Sequence, residues 1–401
     1  MKILLFSSLY PSSVRPIFGV FVETRLRELL QSGQVEAKVV APVPWFPFRH
    51  PVFGEYAQHA ATPRHEVRNG VEVFHPRYAL PPKIGMNVAP YTMALGALPT
   101  LRRLIAEGFD FDLIDAHYYY PDGVAAMLLA RWLKKPFVVT ARGTDLNLIP
   151  QYPWPRKLIM QTAQAASASI GVCQALMDTL ADMGVDRSKL HALRNGVDLQ
   201  LFRPEDRVAA RLKLNLVPDA RYLISVGHLI ERKGHHIAID ALPGLPEVRL
   251  LVVGDGPDRA DLQAQAKRLG VADRVCFAGA VAQADLRWWY SAADALVLCS
   301  SREGWANVLL ESMACGTPVL ATRIWGTPEV VTSRTAGRLL EDRSAAALVS
   351  AWRALANGLP DREETRRHAE NFSWAGTTQG QISLFQSILH EQQLKQARKL
   401  T

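Results

Sequence analysis

The 401-residue chain is longer than the size at which one hydrophobic core stops growing, so its length favours two domains. Hydrophobic residues make up 48% of the sequence and charged residues 21%, as in ordinary soluble globular proteins. The net charge of +8 is spread along the chain without a basic run, which argues against a nucleic-acid-binding protein and favours small anionic ligands or an anionic membrane surface as partners.

The cysteines and the N-terminal segment argue against a secreted protein. The four cysteines show neither CxxC nor Cys/His spacing and lie beside apolar residues, so we expect free thiols in a reducing compartment. The first apolar run, residues 3–6, is too short for a signal peptide and is followed by Ser7, Ser8 and Pro11. We therefore expect a first β-strand here and a cytoplasmic protein.

Apolar runs alternate with helical periodicity along the first half of the chain, which predicts a parallel α/β sheet. The predicted strands are residues 3–6, 38–41, 70–74, 111–116, 136–140, 169–172 and 192–193. Residues 42–65 are dense in Pro, Phe, Trp, His and Arg, which predicts a long ordered loop without regular structure. Such a loop would contact either a membrane or an acceptor, the molecule that receives a transferred group.

Several polar residues follow the carboxyl ends of these strands, the edge at which open α/β sheets bind ligands. Gly19 opens a predicted helix and would approach a donor phosphate or an acceptor, with a plain helix-start glycine as the alternative. His117 and Asp122 follow one strand, and Arg142 and Asp145 follow the next. A lone histidine is more often structural, whereas an arginine at this edge suits an anionic acceptor.

The pattern Asp110-Phe111-Asp112 imitates an Asp-x-Asp metal-binding motif. Both aspartates fall at the start of a predicted strand, at the end away from the ligand-binding edge. We therefore predict no metal site at these residues.

The alternation restarts in the second half, with predicted strands at residues 222–226, 248–253, 275–277, 295–298 and 319–321. Arg232 and Lys233 lie beside Gly234, after the first of these strands, where they would neutralise a diphosphate. The second strand ends in Gly254-Asp255-Gly256-Pro257, which is not the dinucleotide fingerprint because Arg259 occupies the third glycine position.

Residues 302–328 predict a loop carrying Glu303, a helix from about 305 to 315 and a short apolar strand. The first free N–H groups of that helix would form an anion site, and they belong to Gly304, Trp305 and Ala306. Asn307 and Glu311 share one helix face, so Glu311 could accept hydrogen bonds from a ribose diol while Glu303 meets the sugar. The alternative is a solvated glutamate beside an N-capped surface helix.

The two glutamates also support a family resemblance. Glu303 and Glu311, with seven residues between them and Cys-Gly-Thr-Pro-Val after them, resemble the glutamate pair of the retaining glycosyltransferases of family 4. Asp115-Ala116-His117-Tyr118-Tyr119-Tyr120-Pro121-Asp122-Gly123 and Arg194-Asn195-Gly196-Val197-Asp198 also resemble segments of that family, and the similarity extends along nearly the whole chain.

The resemblance implies a GT-B fold, in which two Rossmann-like doubly wound α/β domains face each other across a cleft. This fold divides the chain into three parts. Residues 1–198 would form an acceptor-side domain, residues 199–375 a nucleotide-sugar-binding domain, and residues 376–401 a helix that crosses back to the first domain.

The resemblance further implies transfer of a sugar from a nucleoside diphosphate sugar to a glycan or lipid-linked acceptor in surface polysaccharide synthesis, with retention at the anomeric carbon and without a metal or other cofactor. The implied catalytic residues are Glu303, His117, Lys233 and Arg232. The implied donor-binding residues are Gly19, Gly227, Arg232, Lys233, Gly254, Gly256, Glu303, Gly304, Trp305, Ala306, Asn307 and Glu311. The residues expected to contact the acceptor are Arg142, Asp145 and Asp122.

Two departures from the family pattern bear on these roles. The family usually has arginine where this chain has His228, and Arg232 could take over that charge. The family often has His-Gly where this chain has Arg142 and Gly143.

Two other functions remain open. A sugar-nucleotide epimerase would release an altered donor sugar without needing an acceptor, and a non-catalytic sugar-nucleotide-binding protein would bind the donor without catalysing any reaction.

Residues 84–101 carry no charge, and the length of this stretch reaches the lower bound for a membrane-spanning helix, which needs about 17–25 residues. Prolines and glycines within them argue against a continuous buried helix, and so against a span. We expect instead a segment that lies on an anionic membrane surface, with an ordinary apolar helix packed on the first domain as the alternative. The lipid-facing side chains would be Met86, Tyr91, Met93 and Leu95, and the basic ones Lys83, Arg102 and Arg103. This predicts an enzyme bound peripherally to the inner face of the cytoplasmic membrane.

Overall fold

The computed structural model describes residues 1–400, apart from the side chains of Gln396, Lys399 and Leu400. Contacts within the chain divide it into two compact units. Unit 1 comprises Met1–Leu193 together with the C-terminal segment from Ala375, and unit 2 comprises Arg194–Trp374. The first break therefore falls after Leu193, a few residues before the predicted boundary at 198.

Unit 1 contains a sheet of eight strands and a separate ribbon of two. Its strands are β1 (Lys2–Phe6), β2 (Glu36–Val40), β3 (Val43–Pro44), β4 (His65–Arg68), β5 (Val71–Phe74), β6 (Arg77–Tyr78), β7 (Leu113–His117), β8 (Phe137–Ala141), β9 (Ala168–Gly171) and β10 (Leu190–Ala192). The large sheet has the order β10-β9-β8-β7-β1-β2-β5-β4, and β3 pairs with β6. The chain runs outward from β1 in one direction through β2 and in the other through β7, so the topological switch point lies between β1 and β7.

Seven helices precede the domain break. They are α1 (Val20–Gln31), α2 (Glu55–Ala61), α3 (Gly85–Ala106), α4 (Val124–Leu133), α5 (Thr144–Asn147), α6 (Pro153–Ala165) and α7 (Gln174–Asp182). Strands such as β1 and β8 are almost wholly buried and apolar, as expected of a parallel sheet covered on both faces. The pairing of β4 with β5 is antiparallel and is absent from the sequence prediction.

Residues 42–65 contain regular structure, contrary to the prediction of an irregular loop. They include β3 and the helix α2. The ring of Phe46 packs against those of Phe53 and Tyr56, with centroids 5.3 and 5.2 Å apart. These aromatic contacts join the loop to the first turn of α2, which explains why a proline-rich segment still supports a helix.

The helix α3 is continuous, although Pro90 and Pro99 lie inside it. A proline removes one intrahelical hydrogen bond, here the bond to the carbonyl of Met86 four residues earlier. The hydroxyl of Tyr120 donates to that carbonyl instead. A side chain from another part of unit 1 thus satisfies the group that the proline leaves unpaired, and the prediction of a broken helix is wrong.

One face of α3 packs on unit 1 and the other is exposed. Met93 is fully buried, so its predicted contact with lipid is wrong, whereas Met86, Tyr91 and Leu95 are exposed. At Gly96 the helix passes so close to β6 that a Cβ atom would lie 2.3 Å from the carbonyl oxygen of Arg77. Within residues 1–400, no helix combines the length and the apolarity that a bilayer span requires.

Unit 2 is built on a six-stranded sheet with helices between the strands. Its strands are β11 (Arg221–Val226), β12 (Val248–Val253), β13 (Val275–Gly279), β14 (Ala295–Leu298), β15 (Val319–Thr322) and β16 (Gly337–Leu340). Its helices are α8 (Arg207–Lys213), α9 (His235–Ala241), α10 (Arg259–Arg268), α11 (Leu286–Ala292), α12 (Asn307–Ala314), α13 (Thr327–Val330), α14 (Ala345–Ala356) and α15 (Arg362–Glu370). The sheet order is β13-β12-β11-β14-β15-β16, with all neighbours parallel, so the switch point lies between β11 and β14.

The last helix, α16 (Trp374–Leu400), belongs to unit 1 from Ala375 onward. Its apolar side chains Ile382, Phe385 and Ile388 are buried in the same core as residues of β1 and α1. The periodicity of this stripe in the sequence predicts such a buried face. The core of unit 1 is therefore completed by the end of the chain.

Candidate functional site

In unit 2, the loops that follow β11 and β14 bring two predicted site residues into contact. The ammonium Nζ of Lys233 lies 2.6 Å from Oε1 of Glu303, although the residues are 70 positions apart in the chain. Both loops leave the sheet at the switch point between their strands, the position at which open α/β sheets bind ligands. Lys233 and Glu303 therefore lie close enough to act on one ligand, while their role in a donor site stays a prediction.

The carboxylate of Glu303 is held by several donors. Its side chain is 9% exposed, and Oε1 also accepts a hydrogen bond of 2.7 Å from the hydroxyl of Ser300. The guanidinium of Arg232 lies 3.6 Å from the same oxygen and donates to the carbonyl of Arg302. Two cations and one carboxylate are thus fixed at the edge of the sheet, where a diphosphate and a sugar can both be contacted.

Glycines allow the neighbouring loops to pack closely. Gly254 has a φ of +136°, and a Cβ atom there would lie 1.9 Å from the carbonyl oxygen of Gly227. Gly234 has a φ of +76°, and its Cβ atom would lie 2.0 Å from the carbonyl oxygen of Cys299. A Cβ atom on Gly256 would also meet backbone, at 2.4 Å from the carbonyl oxygen of Leu229. These glycines are therefore required by the packing of the loops, before any ligand is considered.

The helix α12 begins at Asn307, later than the sequence predicts. Ala306 is its N-cap, with an extended backbone at φ −86° and ψ 91°. The first N–H groups of α12 that have no acceptor within the helix therefore belong to Asn307 and Val308. The sequence predicts those of Gly304, Trp305 and Ala306 instead. The ring centroid of Trp305 lies 6.0 Å from that of Phe372, so Trp305 packs against a ring far along the chain.

Glu311 lies one turn inside α12 and is half-buried. Its Oε2 accepts a hydrogen bond of 2.8 Å from the hydroxyl of Tyr290, and burial raises the pKa of the carboxyl to about 7. Asn195 donates to the side-chain oxygen of Asn307 at 3.4 Å. The sequence indicates neither Tyr290 nor Asn195, because no spacing connects them with α12.

His228, which departs from the family pattern, lies at the exposed rim of the same loops. Its Nδ1 donates to the carbonyl of Asp255 at 2.7 Å, so this nitrogen carries a proton. This hydrogen bond joins the loop that contains His228 to the loop that contains Asp255. The positive charge beside Glu303 comes from Arg232 and Lys233, as the sequence predicts for a chain that lacks arginine at position 228.

In unit 1, His117 is the last residue of β7, at the carboxyl edge of the sheet, and its side chain is only 1% exposed. Its Nε2 lies 3.2 Å from the carboxylate of Asp115, and its Nδ1 accepts a hydrogen bond from Arg142. Burial lowers the pKa of His117 to about 4, so the ring is neutral at pH 7 with its proton on Nε2. Because Asp115 and His117 are two apart in β7, they point to the same face of the sheet, and the Asp115 carboxylate fixes the ring of His117. Direct contact of His117 with substrate stays a prediction.

The contacts of His117 continue into a buried chain of polar groups. Asp115 accepts a hydrogen bond of 3.0 Å from the amide of Gln381 in α16. The amide oxygen of Gln381 in turn accepts one of 2.7 Å from Arg25, which also donates to the carbonyl of Leu193. The sequence gives no sign of this network, because its members come from four distant segments.

The two aspartates predicted to contact an acceptor are fully buried structural residues. Asp122 accepts hydrogen bonds from the backbone and the hydroxyl of Ser8, and burial raises its pKa to about 7. Asp145 accepts from the backbone N–H groups of Tyr119, Arg142 and Gly143, and burial raises its pKa as well. Asp122 thus joins the loops after β1 and β7, and Asp145 joins the loops after β7 and β8. These structural contacts do not support their predicted contact with an acceptor, which stays a prediction.

Arg142 and Gly19 lie at the carboxyl edge of the same sheet. Arg142 is half-buried, with its guanidinium 5.3 Å from the ring centroid of Phe21 in α1. Gly19 precedes α1 with a φ of +74°, and a Cβ atom there would lie 2.3 Å from the carbonyl oxygen of Leu9. Of the predicted acceptor residues, Arg142 alone keeps an accessible position.

The two aspartates of the Asp-x-Asp pattern make local structural contacts. Asp112 accepts a hydrogen bond of 2.8 Å from the backbone N–H of Lys2, and Asp110 pairs with Lys135 at 2.7 Å. Across the described part of the chain, no group of three or more His, Cys, Asp or Glu side chains is arranged to hold a metal ion.

Comparisons with known proteins identify the class of this chain. Residues 206–372 match the family "Glycosyl transferases group 1", and residues 20–201 match "Glycosyltransferase Family 4". The protein named "Putative teichuronic acid biosynthesis glycosyltransferase TuaC" of Bacillus subtilis is 30% identical over 359 residues, which cover 88% of each chain. A D-inositol 3-phosphate glycosyltransferase of Segniliparus rotundus is 34% identical over 311 residues, which cover 71% of this chain and 68% of that one.

The fold is also similar to that of a solved structure. Anabaena Alr3699/HepE in complex with UDP-glucose superposes with a TM-score of 0.69 at 22% identity, covering 98% of this chain and 99% of that one. Two Rossmann-like units built on parallel sheets confirm the predicted GT-B fold. With the matches along both units, the chain belongs to glycosyltransferase family 4.

Proposed function

We propose that this glycosyltransferase moves a sugar from a nucleoside diphosphate sugar to a glycan or lipid-linked acceptor in surface polysaccharide synthesis, with retention at the anomeric carbon and without a metal or other cofactor. The observation that carries the proposal is the contact of Lys233 and Arg232 with Glu303 at the switch point of unit 2. Two comparisons support it: the HepE structure holds UDP-glucose, and the name of TuaC refers to teichuronic acid biosynthesis.

Lys233 and Arg232 would hold the donor diphosphate. An ammonium group has three donors, so Lys233 can keep its contact with Glu303 while it also binds a phosphate oxygen. Each charge-assisted hydrogen bond of this kind contributes about 1.5–3 kcal/mol. The buried indole N–H of Trp305 has no hydrogen-bond partner among residues 1–400, and a bound donor would supply one.

Retention follows most simply from attack on the face that the diphosphate leaves. The bond from the anomeric carbon to the phosphate oxygen breaks, a bond to the acceptor oxygen forms on the same face, and the departing phosphate takes the acceptor's proton. Glu303 would stabilise the positive charge that develops on the sugar. A double displacement would instead need a carboxylate below the ring.

In unit 1, Arg142 would contact a negatively charged group of the acceptor. His117 then acts as a positioning residue, because its neutral ring accepts a hydrogen bond from Arg142 on one side and is fixed by Asp115 on the other. A planar guanidinium held in this way is suited to a phosphate or carboxylate.

One experiment tests the proposal against its alternatives. The protein is incubated with UDP-, GDP- and ADP-sugars, with and without a lipid extract, and chromatography measures released nucleotide and epimerised donor. We expect nucleotide release that depends on the lipid extract. Epimer formed without an acceptor would establish an epimerase instead, and donor binding without turnover would establish a non-catalytic binding protein.

We expect the donor KM to fall as the pH rises through about 7, the pKa of Glu311. Below this pH the carboxyl is protonated and loses an acceptor position for the ribose hydroxyls. The loss of one charge-assisted hydrogen bond, about 1.5–3 kcal/mol, corresponds to at least about a tenfold change in KM. Because the pKa is raised, the free protein gains stability from this group at low pH and loses it as the pH rises through about 7.

Donor KM measured between about pH 6 and about pH 8 checks this expectation, with Glu311→Gln as the comparison. The variant cannot ionise, so its KM should not change across this range. An unchanged pH dependence in Glu311→Gln would assign the titration to another group, such as Asp122.

We also propose peripheral binding to an anionic membrane through the exposed face of α3. Leu95 there is 61% exposed, and Arg102 and Arg103 follow it at the surface. Each basic residue near an anionic surface contributes about 1 kcal/mol. Flotation with liposomes should show binding that requires anionic lipid and is weakened by Arg102→Glu with Arg103→Glu.

The matched control for flotation is Arg131→Glu with Arg156→Glu, which makes the same charge change at other exposed positions of unit 1. Binding to neutral liposomes, or equal binding by the two double variants, would refute membrane binding through α3.

A further inference from the structure

Unit 1 contains a pocket of about 700 Å³ beside the ribbon formed by β3 and β6. Three arginines line it, Arg49, Arg64 and Arg77, together with Trp45 and Phe46. None of the individual residues assigned to the donor or the acceptor lines this pocket, but most of its lining falls within residues 42–65, which the sequence predicts to contact an acceptor or a membrane.

The three arginines line one pocket, and no Asp or Glu among the described residues lines it with them. The pKa of Arg77 is lowered first by burial and then by the positive charges of Arg64 and Arg49. None of the three forms an ion pair with any residue in the described range 1–400. The pocket therefore concentrates positive charge, and an anion would relieve the repulsion.

Arg77 is already held in position for a ligand. One nitrogen of its guanidinium, NH2, donates to the carbonyl of Thr62. The other, NH1, is buried and has no hydrogen-bond partner in the part of the chain that the structure describes. A buried charged donor without an acceptor is costly, so Arg77 adds an uncompensated positive charge to the wall of the pocket.

An aromatic cluster, Phe46, Phe48, Phe53 and Tyr56, extends from the arginine pocket to the surface. The rings of Phe48 and Phe53 are stacked with centroids 5.4 Å apart, and Phe46 contacts both. Trp45 is 60% exposed and Phe48 is 56% exposed. Such a patch of exposed aromatic rings is unusual on a protein surface unless it binds an apolar partner.

We infer that the arginine pocket binds the phosphate group of an amphiphilic molecule, and that the apolar part of this molecule lies against Trp45 and the aromatic cluster. Arginine binds phosphate through paired, parallel hydrogen bonds, and three guanidinium groups can surround one phosphate or a phosphodiester. An anionic ligand without an apolar part would leave the exposed rings uncovered. The inference is independent of the donor site in unit 2.

Titration of the full chain with decyl phosphate, below its micelle concentration, measures the affinity by calorimetry. Arg49→Gln with Arg64→Gln should weaken binding at least about tenfold, as expected when charge-assisted bonds to a phosphate are lost. Both side chains are exposed, so the variant should fold, and Arg77 is left intact because it supports Thr62. The matched control, Arg131→Gln with Arg156→Gln, removes the same charge from other exposed positions of unit 1 and should leave the affinity unchanged.

Two further ligands separate the parts of the inference. Inorganic phosphate, which lacks the apolar part, and decyl maltoside, which lacks the charge, should each bind the unaltered protein much more weakly than decyl phosphate. Equal binding of inorganic phosphate would mean a simple anion site, and equal binding of decyl maltoside would mean an apolar site without phosphate recognition. Either result, or an equal loss in the two double variants, would overturn the inference.

Discussion

Glu303→Gln should lower kcat by about 10²- to 10³-fold while leaving the donor Kd nearly unchanged. Glutamine has the same shape and keeps a carbonyl oxygen that can accept from Lys233 and Ser300. It lacks the negative charge that would stabilise the oxocarbenium-like transition state. An interaction made mainly in the transition state affects turnover and not ground-state binding.

Initial-rate kinetics and calorimetric titration with the donor, identified by the nucleotide-sugar panel, measure the two effects separately. Glu341→Gln is the control, since Glu341 is an exposed glutamate of the same unit that follows β16. A normal kcat with a severalfold higher KM for Glu303→Gln would contradict the proposed role, because it would mean that Glu303 only helps to bind the donor.

Asp294→Ala should destabilise unit 2 by about 3–5 kcal/mol. Asp294 is 1% exposed and accepts hydrogen bonds from Arg211 at 3.0 Å, Arg207 at 3.1 Å and the backbone N–H of Tyr222 at 2.8 Å. Arg211 is itself buried, so removal of the carboxylate leaves a cation without its counter-charge in the interior. Removing one partner of a buried ion pair costs far more stability than removing one partner of an exposed ion pair.

Hydrogen exchange of the β11 amides, followed by mass spectrometry, reports the opening free energy of unit 2 by itself. Glu364→Ala removes an exposed partner of Arg367 and should cost less than about 1 kcal/mol. Adding Arg211→Met to Asp294→Ala should restore part of the lost stability, because it removes the unpaired cation. A cost for Asp294→Ala no larger than that of Glu364→Ala would contradict this account of the cluster.

The sequence predicts the two parallel sheets and the position of the donor site because both depend on local patterns. Apolar runs identify the strands, and residues at the ends of β11 and β14 must adjoin once the strand order is that of a doubly wound sheet. The contact between Lys233 and Glu303 follows from this rule. The start of α12 does not, because Ala306, its N-cap, makes no side-chain capping hydrogen bond that the sequence could indicate.

Errors in the prediction arise where a distant side chain satisfies a polar group. The proline rule predicts an interruption in α3, but the hydroxyl of Tyr120 replaces the missing donor. Asp122 and Asp145 resemble accessible acid residues until the backbone donors around them are known. The burial of His117 could have been anticipated in part, since Asp115 on the same strand face offered it a partner.

The return of α16 to unit 1 has a consequence for the order in which the protein folds during synthesis. Gln381 joins Asp115 to Arg25 by hydrogen bonds, yet it is translated after the whole of unit 2. Unit 2 is continuous in the chain and can reach its final structure as it leaves the ribosome. Unit 1 must wait with its core open until the last helix is released, so a fragment that ends at Leu193 should expose apolar surface and aggregate, whereas a fragment spanning Arg194–Trp374 should fold.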